Sequence, residues 1–391
     1  MTPELIARLR DDTPACKTRV HFNNAGAALL PDPVYQAMTG HLALERDIGG
    51  YEAAARQSDA LTGFYTGFAR LLGAEPGEIA FVENATRAWD MAFYGAGLRA
   101  GDEVITHASE YASNYLAFLH LEHRLGIKIV CAPSDASGQI DVGALEALIT
   151  PKTRLIAITH VPSQGGLVNP AEAVGAVARQ HGVLYLLDAC QSVGQIDVDV
   201  RKIGCDMLSG TGRKFLRGPR GTGFLYVSAR VMDRIEPPFI DLHAATWTGP
   251  ARYAWVADAR RFETWESFVA GRIGLAAAVD YALALGMPAI EARVTALAAR
   301  LRAGLSGLKG VQVQDLGLRR SGIVTLTVQG QDADDLKARL AAEGINTSVS
   351  PNTYARLDFD ARGLTKALRA SVHYYNTEAE VDRFVARIDG V

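Results

Sequence analysis

The chain has 391 residues, 48% hydrophobic and 21% charged, a balance that excludes a disordered polypeptide and allows two or three domains. Its 40 Lys and Arg against 43 Asp and Glu give a net charge of −3, so no basic excess marks a nucleic-acid surface. No apolar run reaches the roughly 18 residues of a membrane span, and residues 1–20 lack the apolar core of a signal peptide. Cys16, Cys131, Cys190 and Cys205 are too few and too scattered for a disulfide framework or a zinc site. These features lead us to expect a cytoplasmic protein with a large core, no metal, no nucleic-acid partner and no membrane association.

In chain order, a helix over 31–47 links the N-terminal segment to the main body. Short β-rich apolar runs follow at 79–82, 103–106, 127–131, 154–159, 184–187, 207–208 and 224–227. Several lack polar alternation, as strands buried on both faces do. Helical stretches at 86–96, 115–124 and 170–181 lie between them, a rhythm that predicts an α/β unit with a mostly parallel sheet and a ligand at the carboxyl ends of its strands. Beyond residue 228, Pro237-Pro238 and 247–255 read as an irregular connection. The Ala- and Leu-rich region 269–308 reads as two helices broken at Gly286. Short strands (311–313, 322–328), a helix (333–343), an extended piece (345–349) and helices at 363–370 and 377–388 describe a smaller α+β unit.

Four motifs fall at predicted strand ends. Asp188 stops an apolar strand in Leu186-Leu187-Asp188-Ala189-Cys190-Gln191; capping the next helix is an equal alternative. One helix and one strand later comes the Gly-rich run Ser209 to Gly223, in which Lys214 stands among hydroxyls, backbone amides and Arg213, the groups that hold a phosphate. Phe215 after that lysine excludes the common nucleotide-binding loop, which needs Ser or Thr there. Glu83-Asn84-Ala85-Thr86-Arg87 opens a helix and can offer amides and the Thr86 hydroxyl to an anion, or use Thr86 as a cap. In Ser109-Glu110-Tyr111-Ala112-Ser113-Asn114, Tyr111 can stack on a planar ring or lie on the surface.

Together with Phe22-Asn23-Asn24-Ala25-Gly26 and the stretch from Tyr375 to Asp382, these motifs resemble the class V aminotransferase family of pyridoxal-phosphate enzymes, which includes cysteine desulfurases, isopenicillin N epimerases and C–S lyases. The resemblance covers nearly the whole chain. It implies the aspartate aminotransferase-like fold: a large domain over 17–260 with a mostly parallel seven-stranded sheet, and a smaller α+β domain over 261–391 joined by segment 1–16. It implies Lys214 as the Schiff-base lysine and Asp188 as partner of the pyridine nitrogen. Gln191 lies near the ring hydroxyl, Ser163 and Gln164 take the place where relatives often have an Asn beside the ring, and Tyr111 stacks on the ring, while Ala85, Thr86, Thr211 and Arg213 hold the phosphate. Arg369, with Asn24 and Gly26, binds the amino-acid substrate, and a homodimer is expected. A solvated helix arginine is the plain alternative for Arg369.

Within this family, desulfurases carry a reactive Cys in the loop corresponding to 345–369, and this chain has none there. Cys190 and Cys205 read as small buried hydrophobes beside strands. Arg213-Lys214, Gly218 to Gly221 and Trp265-Glu266 are similar to the lyase-like branch. The expectation is therefore β-elimination from an S-substituted cysteine, through an aldimine on Lys214 and a quinonoid, with transamination or epimerisation as alternatives and desulfuration disfavoured. A PLP-binding module without turnover is the reading of another class. Among minor signals, His120 and His123 read as surface residues; His160, His373 and Tyr374 either line the cleft or pack; and His243, Trp247, Thr264 and Ser267 are candidates for an inter-subunit contact.

Overall fold

The computed structural model describes residues 1–390. The larger sheet contains β1 (Ile79–Val82), β2 (Glu103–His107), β3 (Lys128–Ala132), β4 (Thr153–Thr159), β5 (Leu184–Asp188), β6 (Met207–Thr211) and β7 (Gly223–Val227). Their spatial order is β1-β7-β6-β5-β4-β2-β3. Every pair is parallel except the two that β7 makes. The carboxyl ends of β1, β2, β4, β5 and β6 therefore share one edge, where the connecting loops converge.

Alternation explains why these strands read as unbroken apolar runs. Tyr185 and Leu187 of β5 pack into one core while Leu184 and Leu186 pack into the other. Ile156 and Ile158 against Leu155 and Ala157 do the same in β4. With helices on both faces, a side chain pointing either way is buried.

The smaller sheet is antiparallel: β8 (Val311–Val313), β9 (Ile323–Val328), β10 (Ser348–Pro351) and β11 (Lys366–Ser371), in the order β8-β9-β11-β10. The N-terminal segment reaches it, since Val20–His21 pairs with Ile345–Asn346 and Asn23 bridges to Ser371. The Ala- and Leu-rich region forms helices Val269–Leu285 and Met287–Ser306; Gly286, at φ +82°, supplies the turn between them.

Two local expectations are corrected. Residues 366–371 are a central strand rather than helix, because β9 and β10 satisfy the backbone on both sides and override the helix preference of Lys, Ala, Leu and Arg. The region read as irregular contains a hairpin, Ala245–Gly249 with Arg252–Trp255, whose largely exposed strands lack the apolar run that marks a core strand.

Candidate active site

Each strand end delivers one part of the site. Beyond β1, Asn84 caps helix α1 (Ala85–Gly95) by accepting from the Arg87 amide at 2.9 Å. Asn84, not Thr86, is thus the cap, which leaves Thr86 in a first turn whose amides lack intrahelical partners. Beyond β2, Tyr111 precedes helix α2 (Ala112–Leu125) and Asn114 is buried in its first turn. Beyond β5 come Asp188, Cys190 and Gln191, and beyond β6 come Arg213 and Lys214. They meet around one cavity of about 430 Å³, lined by Asn84, Ala85, Thr86, Tyr111, Asn114, Thr159, Val161, Ser163, Asp188, Cys190, Gln191, Thr211, Arg213 and Lys214. Of the residues placed at the cofactor from the sequence, all but Gln164 line it; Gln164 is buried and lines a separate small cavity with His107 and Ser109.

The electrostatics are uneven. Burial, aided by Arg213, pushes the Lys214 ammonium below the usual lysine range, against the opposing pull of Cys190 and Asp188. Burial raises the Asp188 carboxyl, opposed by the Cys190 amide (2.8 Å), the Asn114 amide (2.9 Å) and Lys214. Gln191 donates to Ala25 O and to Ser163 Oγ, each at 3.0 Å, while its Oε1 is buried without a partner.

Arg369, on β11, donates to Ser163 O at 2.9 Å and to Asn23 Oδ1 at 3.4 Å; its Nε has no partner, and no acidic residue pairs with it among the described residues. Burial first and Arg213 second bring it down to about 10, with Tyr111 opposing. A solvated helix arginine it is not.

The lysine loop is held from below. His373 Nε2 bonds Phe215 O at 2.9 Å. Arg217 adopts φ +60°, a left-handed conformation that costs a side-chain-bearing residue roughly 1–2 kcal/mol. It is fixed there by donating to Leu29 O, Tyr374 Oη and Thr13 Oγ1.

Several sequence expectations meet a different placement. Asn24 does not line the cavity: its Nδ2 donates to Ser371 O at 2.7 Å and its Oδ1 accepts from Tyr375, so it staples the N-terminal segment to β11. Its neighbour Asn23 is the residue that meets Arg369. Gly26 also lies off the lining; its carbonyl accepts from Arg213, and a Cβ there would lie 2.5 Å from Asn23 Oδ1. His160 lines a separate cavity with Asn169 and Arg319, and burial pushes it down to about 3. His373 and Tyr374 are packed, not cleft-lining. His120 bonds Tyr94 Oη, His243 bonds Glu263, Thr264 bonds Glu266 O, and Trp247 is exposed. Sequence reasoning missed Asn84, Asn114, Thr159 and Val161, and it misread Cys190, which is half-buried and faces the cavity beside Lys214.

These residues fit the cofactor that the resemblance implies. A buried amine whose proton is disfavoured, a strand-end carboxylate, an unpartnered Gln191 oxygen and a capped helix N-terminus surround one cavity, and each matches a different group of pyridoxal phosphate.

The aminotransferase class-V family model matches residues 20–384. A probable cysteine desulfurase of Methanothermobacter thermautotrophicus is 30% identical over 382 residues, covering 95% of this chain and 94% of its own. One from Xylella fastidiosa is 31% identical over 401 residues, covering 97% and 94%. The apo structure of a cysteine desulfurase from Thermococcus onnurineus NA1 superposes with a TM-score of 0.92 at 28% identity, over 100% of this chain and 98% of that one. These relatives overturn the expectation of β-elimination and the disfavouring of desulfuration. The physical reason is that a missing loop thiol removes one sulfur acceptor, not the reaction: sulfur can pass to a thiol that diffuses in.

Proposed function

The chain belongs to the class-V aminotransferase family and its cofactor is pyridoxal phosphate; from that premise we propose that it removes the sulfur of L-cysteine onto a thiol acceptor and releases alanine. The Cβ–S bond breaks, an S–S bond forms on the acceptor, and Cβ gains a proton. Cysteine plus a thiol gives alanine plus a persulfide, with no outside oxidant or reductant.

Pyridoxal phosphate supplies a sink for the electron pair released at the substrate Cα. Ala85, Thr86, Thr211 and Arg213 would hold its phosphate, Asp188 the proton on its ring nitrogen, Gln191 and Ser163 its hydroxyl, and Tyr111 would cover the ring. Lys214 would hold its aldehyde carbon. With its proton disfavoured by burial, the same amine takes the Cα proton and delivers it again. Arg369 clamps the substrate carboxylate with its planar fork.

The observation that carries the reading is Arg369 itself: a buried guanidinium with no acidic partner among the described residues, next to the cavity that holds Lys214 and Asp188. The names of the relatives supply cysteine as the amino acid. The test is to incubate the holoenzyme with L-cysteine and excess dithiothreitol and to quantify products. Alanine and sulfide should appear in equal amounts, with no keto acid required. Pyruvate and ammonia in place of alanine would overturn the proposal.

A further inference from the structure

Behind Asp188 lies a second buried carboxylate that the proposed mechanism does not use. Glu110 sits in the turn after β2, and it has no ion pair among the described residues. The Asn114 amide joins the two: its Nδ2 donates to Glu110 Oε1 at 2.8 Å and to Asp188 Oδ2 at 2.9 Å. Glu110 Oε1 also accepts from the Tyr111 amide at 2.9 Å and from the Thr159 hydroxyl, and its Oε2 accepts from Thr106 at 3.2 Å. We propose that Glu110 is a positioning residue for Asp188: acting through the shared Asn114 amide, its charge state sets how tightly Asp188 holds the proton on the cofactor's ring nitrogen.

The argument is one of field and geometry. When Glu110 is ionised, a second negative charge stands behind Asp188, with both carboxylates buried, and favours the protonated ring. When Glu110 carries a proton, that contribution vanishes and only the hydrogen bonds remain. Glu110 is placed to change state near neutrality. Burial raises it to about 7, reinforced by Asp188 and opposed by the Thr159, Asn114 and Tyr111 donors. The other titratable groups facing this pair are Cys131 from β3 and, across Asp188, Cys190 and Lys214. Coupled carboxylates titrate together, so the step belongs to the pair.

Glu110→Gln isolates the charge. The glutamine Oε1 can accept the same three donors, and its amide meets Thr106 Oγ1, which can accept; the bonds survive and the ionisation does not. The experiment loads wild type and E110Q with pyridoxal phosphate labelled with ¹⁵N in the ring and follows the bound ¹⁵N shift from the acid to the alkaline side of neutrality. Wild type should show a step centred near pH 7, and E110Q should stay at the acid-side value throughout. Thr159→Val removes one donor to ionised Glu110 and leaves Asn114 and Asp188 in place, so it should move the step to higher pH; this variant decides the matter if E110Q does not fold. The same profile in wild type and E110Q, or an unmoved step in T159V, overturns the inference. The inference rests on the cofactor part of the proposed function. A chain that takes up no cofactor by visible absorbance fails at that earlier point, whereas one that loads normally and shows no difference between variants sinks this inference alone.

Discussion

Lys214 follows β6 of the larger sheet and Arg369 lies on β11 of the smaller one, and both cations are buried at the same site. Their surroundings differ. Lys214 lies near a carboxylate and a thiol, yet burial, aided by Arg213, still weakens its hold on its proton relative to a free lysine. Arg369 meets only neutral acceptors, Ser163 O and Asn23 Oδ1, and at about 10 it stays charged at neutral pH. A lysine can lose its proton within the working range and a guanidinium cannot. In the proposed reaction the larger sheet therefore supplies the group that moves protons, and the smaller sheet the fixed charge that takes the substrate carboxylate. An unpaired buried cation costs several kcal/mol, which a bound carboxylate offsets.

The largest effect comes from breaking the first half of this contrast. Lys214→Ala should lower kcat for alanine formation by about 10⁴-fold or more, since anchor and proton carrier are lost together. The cofactor's absorbance should also shift in the purified variant; unchanged turnover and spectrum would show that Lys214 is neither the anchor nor the proton carrier. Breaking the second half should act on binding. Arg369→Ala removes two charge-assisted hydrogen bonds, worth about 3 kcal/mol together, so kcat/KM for L-cysteine should fall by about 10²-fold, mostly through KM. Cysteamine, which lacks the carboxylate, sharpens the test: its kcat/KM should be nearly the same in wild type and R369A. An equal loss with both substrates would mean that Arg369 holds the fold and not the carboxylate.

The two sheets were also unequally legible. The strands of the larger sheet show in the sequence because alternate residues of β4 and β5 enter two different cores, leaving apolar runs with no polar break. Their ends carry the site, so strand-end position made Asp188, Lys214, Thr86 and Tyr111 candidates, each with a plain alternative, and the resemblance assigned their roles. In the smaller sheet, Lys366–Ser371 has a helix former's composition, and only the flanking β9 and β10 make it a strand. Arg369 was thus found by resemblance, while its secondary structure was misjudged. Asn23 and Asn24 are adjacent and point to different partners, Arg369 and Ser371, a distinction with no local signal. Glu110 and Asn114 stand four apart, as helix-facing pairs do, but their convergence on Asp188 needs a strand that lies far along the chain.

Cys190 was misread for a similar reason, and it carries the smallest expected effect. It follows Asp188 in a turn in which the aspartate Oδ1 accepts the Cys190 amide, and that bond turns residue 190 out of the strand toward the cavity. Its place beside Lys214 makes it the obvious internal acceptor for sulfur. Its chemistry argues the other way: burial raises the thiol above the usual cysteine range despite the pull of Lys214 and Arg213, and a protonated thiol is a poor nucleophile. Sulfur should therefore leave on a thiol from solution. Cys190→Ala should lower alanine formation with excess dithiothreitol by no more than about threefold, a barrier change of about 0.7 kcal/mol. Mass spectrometry of wild type after turnover without added thiol should show no extra sulfur on the peptide containing Cys190. Loss of turnover in C190A with cofactor binding intact would place the acceptor inside the protein, and the larger sheet would then supply the sulfur carrier as well as the proton carrier.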